Sequence, residues 1–416
     1  DNFAKHKLLG EKLKESHWLR TEGKANCVQL RGEYFFVAEG KGGFRVYDTA
    51  GIANKGVSQR IIKAPFSPLG HDAHIQTKNA TCMALPTNQP IDPSRNNGEL
   101  MREVNMEQPF HPIYNYAFIS DSEEGLIIVD VNTFADGIAR NNFLSRSLTW
   151  NAGGNLAGAR HITIAGYYAY ISVPEGVQII NLNNPLKPEY VSFIPLDDPR
   201  ASALQFRYLY VTTSEGLVTV DITNHARPRV LKEVIKLKDA RKVYLARTYA
   251  YVAAGLEGLV IVDIEKAGKP KILTKYTANG KISDASDVVL GSTNASLFAY
   301  VADGRNGLKV VQLTSPDLQP KFYGFSPEPR PLLIAEKITQ SPAIAISKGL
   351  DRDRAVDETG GQIAVLGRIG SRPFSLEEMK KLYLDKDGQL WTVSDQGKIS
   401  DYVRKLLPNL EAKLDE

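Results

Sequence analysis

Three arginines recur at the same distance before similar tyrosine-rich stretches. Each lies eight residues before the first tyrosine of its stretch: Arg160, Arg200 and Arg241. If the stretches are copies of one structural unit, the three guanidinium groups occupy the same point of each copy and face a common space. Guanidinium groups gathered there would focus positive potential and favour an anionic ligand or a partner carrying carboxylates.

A second interpretation of these arginines remains open. Each could pair with an aspartate nearby in the sequence, for instance Asp197, Asp198 or Asp239, because buried charges generally need partners. His161 directly follows Arg160 and joins the candidate anion or partner site on the same grounds. Its alternative is a histidine held in the core by hydrogen bonds.

Histidine spacing offers a weaker metal candidate. His71 and His74 are three residues apart, and His111 lies in the same part of the chain. They could ligate zinc or a haem iron supplied by a partner, but no Cys or Glu completes a ligand set, so a solvated loop is expected. No Gly-x-Ser-x-Gly, phosphate-binding glycine loop or paired-carboxylate motif is present, so no catalytic residue is predicted.

The elements that would position these residues are β-hairpins. Tyr249–Asp263 alternates aromatic and small residues, turns at Gly258 and continues in a β-branched run. Five other stretches match it: Tyr34–Asp48, Tyr114–Asp130, Tyr168–Asn181, Tyr208–Asp221 and Phe298–Gln312.

The turn glycines of these hairpins recur 40 to 51 residues apart, except for 82 residues between the first two. A four-stranded propeller blade takes about 40 to 45 residues, so an all-β β-propeller is predicted. The 82-residue gap is interpreted as one blade with a long insertion. Seven blades are expected, with six as the alternative. The seventh sheet would use Ala343–Ser347, Gln362–Leu366 and Leu390–Val393.

The predicted domain organisation places the propeller at 23–399, with the insertion at about 51–113. Within the insertion, Asn79–Leu85 is expected to form the innermost strand of blade two. An N-terminal helix or linker is expected at 1–22, a short helix at about 376–382 after a capping box, and a helical tail at 400–416.

Two of the hairpins carry the five-residue runs Leu126–Asp130 and Leu259–Asp263, which resemble the signature of the LVIVD-repeat family. That resemblance implies a bacterial or archaeal exported or cell-surface β-propeller. The stretch Gly349–Gly360 also resembles the C-terminal part of long exported proteins that join such a propeller to a multihaem cytochrome region. This chain has no Cys-x-x-Cys-His, so any haem would come from a partner or a removed segment, and no cofactor is expected on its own motifs.

Composition narrows the classes of function. The 416 residues carry a net charge of +4, which is small for a nucleic-acid binder. No apolar run approaches the about 20 residues of a membrane helix. The sequence begins at Asp1 without Met, which is expected of a processed product or of a piece of a longer protein.

The two cysteines, Cys27 and Cys82, fall at matching points of the first two blades, where innermost strands converge on the axis. A disulfide between them is predicted, which would indicate an oxidising compartment. Two buried free thiols are the alternative.

The function expected from these features is a non-enzymatic scaffold or docking module outside the cytoplasm, in the periplasm, on the cell surface or secreted. The resemblance implies a protein partner, and a multihaem cytochrome of an electron-transfer assembly is the expected one. The alternative is an enzyme, a lyase or hydrolase, that acts on an anionic substrate at the channel mouth.

Overall fold

The computed structural model describes residues 21–31, 34–48, 62–63, 73–86, 112–131, 144–293, 296–316, 326–347, 368–369 and 372–373. Predicted features at 1–20, 376–382 and 400–416, and the strands predicted at Gln362–Leu366 and Leu390–Val393, lie outside these residues and stay predictions.

Six antiparallel sheets follow one another along the described chain, each an up-and-down meander. Blade one contains β1 (Cys27–Arg31), β2 (Tyr34–Ala38), β3 (Phe44–Asp48) and β4 (Ile62–Lys63), and β5 (His74–Ile75) also pairs with β3. Blade two contains β6 (Ala80–Ala84), β7 (Tyr116–Asp121), β8 (Gly125–Asp130) and β9 (Ser145–Trp150). Short 3-10 turns at Pro112–Asn115 and Ala152–Gly154 flank this blade.

The other four blades repeat the pattern. Blade three contains β10 (His161–Ala165), β11 (Tyr168–Val173), β12 (Gly176–Asn181) and β13 (Glu189–Pro195). Blade four contains β14 (Ala201–Gln205), β15 (Tyr208–Thr213), β16 (Gly216–Asp221) and β17 (Arg229–Val230), and β18 (Ile235–Lys236) also pairs with β16. Blade five contains β19 (Lys242–Ala246), β20 (Tyr249–Ala253), β21 (Leu259–Asp263) and β22 (Lys271–Tyr276). Blade six contains β23 (Asp287–Thr293), β24 (Ser296–Ala302), β25 (Leu308–Thr314) and β26 (Leu332–Lys337), and a separate hairpin joins β27 (Arg368–Ile369) to β28 (Arg372–Pro373).

The predicted hairpins are the second and third strands of six separate blades, as expected. The second-blade hairpin starts at Tyr116 rather than Tyr114, because Pro112–Asn115 takes a 3-10 turn. Among the described residues of the long gap before Gly125, β4 and β5 pair with β3 of blade one, and β6 at Ala80–Ala84 is the innermost strand of blade two. The bounds of the insertion stay a prediction.

The hydrophobic core is divided into layers between neighbouring blades. Five buried clusters join blade one to two, two to three, three to four, four to five and five to six. In the last of these, Tyr251 and Ile261 of blade five pack with Val288 of blade six. Ile261 has no exposed surface. Successive side chains of a strand point to opposite faces of its sheet. The apolar runs of these strands therefore bury surface against the blades on both sides.

The turn glycine of blade five shows why glycine recurs in the hairpins. Gly258 has a φ of +74°, a region that costs other residues strain. A Cβ atom there would lie 2.4 Å from the carbonyl oxygen of Tyr276 on the outermost strand. Glycine at this position therefore allows a tight hairpin turn in close contact with the outermost strand.

The described residues form six blades, the number predicted as the alternative, rather than seven. Residues 343–347 enter the ring after blade six, but they form only an isolated bridge, between Ala343 and Gly304. The N–H of Ile346 donates to Asp287 at 3.1 Å, and Ser347 Oγ accepts from the N–H of Leu30 at 2.8 Å. This segment therefore contacts the innermost strands of blades six and one without forming a sheet in the described structure.

Candidate functional site at the end of the central channel

The residues that directly precede the innermost strands form a ring at one end of the channel, here called the mouth ring. Its members are equivalent because the residue that follows each one pairs with the matching residue of the second strand: Cys27 with Ala38, His161 with Ser172, Ala201 with Thr212, Lys242 with Ala253 and Asp287 with Ala302. The mouth ring thus contains Asn26, Arg160, Arg200, Arg241 and Ser286, with Thr81 in blade two next to a bulge.

The three predicted arginines do gather at this end, and an aspartate stands between each neighbouring pair. Asp198 contacts Arg160 and also lies 3.1 Å from Nε of Arg200. Asp239 lies 2.6 Å from Nη1 of Arg200 and 2.7 Å from Nη2 of Arg241. Asp284 completes the series at 2.6 Å from Nη1 of Arg241. We call these six residues the ion-pair ladder.

The ladder favours the ionised form of two of its carboxylates, Asp198 and Asp239. Burial opposes ionisation of Asp198, but hydrogen bonds from Arg160 and Arg200 outweigh it and hold the pKa of this carboxyl below its ordinary value. Burial also opposes ionisation of Asp239, but the hydrogen bonds and charges of Arg241 and Arg200 outweigh it and lower the pKa of this carboxyl. Burial likewise disfavours the charge of Arg241, yet its bonds to Asp239 and Asp284 raise its pKa.

Three arginines and three aspartates give the ladder no net formal charge, and each arginine pairs with an aspartate, as in the alternative interpretation. Binding of an anion or of a partner at this ring stays a prediction. Of the partners that the sequence suggests, Asp198 and Asp239 pair with arginines, whereas Asp197 accepts the hydroxyl of Ser214. Asp284 is a partner that the sequence interpretation does not name. A signal for it exists: an aspartate stands two residues before the ring position in Asp198-Pro-Arg, Asp239-Ala-Arg and Asp284-Ala-Ser.

The ion-pair ladder extends over blades three to six. In the remaining part of the mouth ring, a cavity of about 600 Å³ opens between blades one, two and three. Its lining contains Lys24, Asn26, Lys41, Asn79 and Arg160, together with Thr81 and glycines. Arg160 thus ends the ladder and borders this cavity.

One residue deeper in the channel, three ionisable side chains lie on three different blades. Nδ1 of His161 accepts the N–H of Ser202 at 3.3 Å, which leaves the proton of the neutral ring on Nε2. Burial and the charge of Lys242 hold the pKa of His161 well below its ordinary value. Burial also lowers the pKa of Lys242 and raises that of Asp287, while each partly offsets the change in the other.

His161 therefore matches the alternative of a hydrogen-bonded histidine, and the residue as a whole is half-buried. Lys242 and Asp287 were not predicted. The repeat could have identified both residues, because each directly follows a mouth-ring residue, as His161 follows Arg160.

The structure joins Cys27 and Cys82 in a disulfide, with Cα atoms 4.8 Å apart. The bond connects the innermost strands of blades one and two, at the level of His161. Blade one is thus linked covalently to blade two beside the cavity.

Of the three metal candidates, the structure describes His74, so a site built from all three stays a prediction. His71 and His111 lie outside the described residues. His74 lies in β5, where Nε2 donates to the carbonyl of Gly42 at 2.7 Å, instead of in a solvated loop. No group of three potential metal-binding side chains occurs among the residues with described positions. In the same residues no helix has the length and apolar character to cross a membrane.

Six blades around a channel define the class as a β-propeller. The LVIVD repeat model matches residues 22–54, 114–133, 205–234, 238–277 and 284–316, and the chain belongs to the LVIVD-repeat family. These matches fall on blades one, two, four, five and six. Blade three has the same four strands without a match. No curated protein matches the chain.

The similar solved structures have low sequence identity to this chain. A protein from Lactobacillus plantarum has a TM-score of 0.50 and 10% identity, over 77% of this chain and 86% of that one. The computationally designed Ika8 protein has a TM-score of 0.41 and 8% identity, over 70% and 72% of the two chains. A chain of a nidogen/laminin complex has a TM-score of 0.35 and 10% identity, over 59% and 77%.

Proposed function

We propose that this protein is a non-enzymatic docking module outside the cytoplasm, and that its partner is a multihaem cytochrome of an electron-transfer assembly. The observation that carries the docking role is a repeated surface on the outer rim of blades three, four and five. The cytochrome as partner comes from the resemblance of Gly349–Gly360 to proteins that join such a propeller to a multihaem region.

The rim surface is built by the turn that leads into each outermost strand. In all three blades a basic residue precedes a proline: Lys187-Pro188, Arg227-Pro228 and Lys269-Pro270. The N–H of each basic residue donates to the carbonyl three positions earlier, at 2.9 Å, 3.0 Å and 2.8 Å respectively. The three turns therefore hold their basic residues at the same place on the ring.

Three residues further along, each outermost strand exposes an apolar side chain. Tyr190, Val230 and Ile272 are 45%, 41% and 40% exposed. Each pairs with the equivalent residue of the third strand: Ile180, Val220 and Val262. We call the six residues Lys187, Tyr190, Arg227, Val230, Lys269 and Ile272 the rim ridge.

The charges of the rim ridge are available for a partner. Within the described part of the chain, no carboxylate lies within ion-pairing distance of Lys187, Arg227 or Lys269, and all three are exposed. Alternating cationic and apolar groups fit a surface that offers both carboxylates and apolar edges. An exposed haem edge with its propionate groups has that chemistry. Charge complementarity of this kind mainly steers association and selects the partner.

The disulfide between Cys27 and Cys82 supports a location outside the cytoplasm. Such bonds persist in oxidising compartments and are rare where thiols are kept reduced. The LVIVD-repeat family membership agrees with export, because the resemblance implies exported or cell-surface proteins.

The test is isolation of the protein from its native cells under mild conditions, followed by visible absorption spectroscopy. We expect the wild-type protein to co-purify with a Soret band. The triple variant Lys187→Glu/Arg227→Glu/Lys269→Glu should lose that band while keeping its melting temperature, because all three side chains are exposed.

The matched control changes three exposed basic residues elsewhere, Lys78→Glu/Lys238→Glu/Arg305→Glu, with the same change in net charge. It should retain the Soret band. A colourless wild-type preparation would refute the cytochrome, and equal loss of the band in both triple variants would refute the rim ridge as the docking surface.

A further inference from the structure

We infer that the cavity in the mouth ring binds a small organic dianion, of the dicarboxylate or phosphate-monoester class. The inference starts from an asymmetry in the ion-pair ladder. Arg200 and Arg241 each contact two aspartates, whereas Asp198 is the one carboxylate that Arg160 contacts among the described residues.

Arg160 consequently keeps donors for a ligand. Its guanidinium bonds Asp198 through Nη1, and within the described residues no acceptor bonds Nε or Nη2. The side chain is 40% exposed and borders the cavity. A planar guanidinium with two adjacent free donors suits a carboxylate or phosphate oxygen pair.

The rest of the lining adds positive charge. Lys24 and Lys41 of blade one border the same cavity, and none of the described residues that line it carries a carboxylate. Among the described residues, two carboxylates bond to lining residues, and both already have other hydrogen-bond donors. Asp198 is held in the ladder, and the buried Asp121 accepts the N–H groups of Asn79, Glu123 and Glu124 at 2.7 to 2.9 Å.

Uncharged groups at the cavity are also fixed in place. Asn26 donates its side-chain amide to the carbonyl of Ala80 at 3.1 Å, and Asn79 donates to Ser122 Oγ at 2.8 Å. Between them Gly40 has a φ of +59°, and a Cβ atom there would lie 3.2 Å from Nδ2 of Asn26 and 3.4 Å from Oδ1 of Asn79. Glycine at this position keeps the space between the two amides open.

Size and charge together select the ligand class. About 600 Å³ is the volume of a small-molecule site. Arg160 is balanced within the ladder but keeps free donors, so the two positive charges of Lys24 and Lys41 favour a ligand with two negative charges. This site is independent of the rim ridge, which lies on the outer edge of blades three to five.

The test is isothermal titration calorimetry on the full chain at low ionic strength, with succinate and inorganic phosphate as separate probes. We expect saturable binding of at least one probe, and weakening by tenfold or more in Arg160→Gln and in Lys24→Gln/Lys41→Gln. Binding should weaken as salt is raised, because the contacts are exposed charges. Tighter binding of succinate identifies a dicarboxylate ligand, and tighter binding of phosphate identifies a phosphate ester.

Two controls separate the site from general positive charge. Lys238→Gln/Arg305→Gln should bind like the wild type, and so should the rim triple variant. Arg160 is exposed, so its variant should keep its melting temperature. The inference is overturned if neither probe binds saturably, or if the control and the Arg160 variant bind equally.

Discussion

Cys27 and Cys82 occupy equivalent positions on the innermost strands of neighbouring blades, and their Cα atoms are 4.8 Å apart. Cys27 pairs with Ala38 and Cys82 with Ser120, which are the fifth residues of β2 and β7. The disulfide therefore joins two blades at one height of the channel. It closes a loop with a sequence separation of 55 residues.

Reduction of this bond should destabilise the protein. We expect Cys27→Ala/Cys82→Ala to lower the free energy of unfolding by roughly 2–4 kcal/mol, as measured by denaturant titration. The intact mass of the denatured wild-type protein should be that of the oxidised form until reductant is added. Alkylation of both cysteines without reductant would contradict the bond in the native protein.

Charge in an inter-blade layer should prevent folding. Ile261 has no exposed surface and lies between blades five and six, so Ile261→Asp would place an unpaired carboxylate in an apolar layer. We expect insoluble protein on expression. Ile272→Asp, in the neighbouring strand but 40% exposed, should remain soluble with little change in melting temperature. A folded Ile261 variant would contradict the placement of β21.

Two glycines of blade five should respond differently to alanine. Gly258→Ala meets both a φ of +74° and a carbonyl oxygen 2.4 Å from the new Cβ, so we expect a loss of more than about 1 kcal/mol in unfolding free energy. Gly268→Ala meets no atom within 4 Å and no positive φ, and it should cost little. Equal effects in thermal unfolding would show that the hairpin turn is not as tight as described.

The ion-pair ladder should contribute a modest, salt-sensitive stability. Asp239→Asn removes the carboxylate between Arg200 and Arg241, and we expect a loss of about 1 kcal/mol because the groups are partly exposed. The loss should shrink in high salt. Asp197→Asn is the control, since Asp197 bonds the hydroxyl of Ser214 rather than an arginine, and its effect should not depend on salt.

The same ladder should make stability depend on acid. The pKa values of Asp198 and Asp239 are lower in the folded protein than their ordinary value of 3.8. Their contribution is therefore complete above that pH and is lost as the pH falls below it, because the unfolded chain binds protons first. Denaturant titrations across this range should show the wild type and Asp239→Asn converging in acid. A constant difference between them would contradict the assignment.

The local sequence pattern was sufficient to predict the central hairpins of the blades. Alternating residues such as Tyr249, Tyr251 and Ala253, a turn glycine and a β-branched run are properties of neighbouring residues, so the sequence by itself determined the hairpins, their repeat and hence a propeller. The match between the first two blades in the sequence also predicts Cys27 beside Cys82.

Tertiary structure decided how many blades the described chain forms and which charges meet. An apolar segment such as Ala343–Ser347 predicts a strand, but a strand forms only where neighbouring chain supplies its hydrogen bonds, and here a single bridge forms. The sequence shows that Arg200 occupies the same repeat position as Arg160. It does not show that Arg200 also pairs with Asp239, which directly precedes the next blade. An arginine pairs with an aspartate of the next blade only if the two side chains come within ion-pairing distance. The distance between neighbouring blades is set by packing between their sheets, so the neutral ladder and the basic cavity beside it form only in the folded protein.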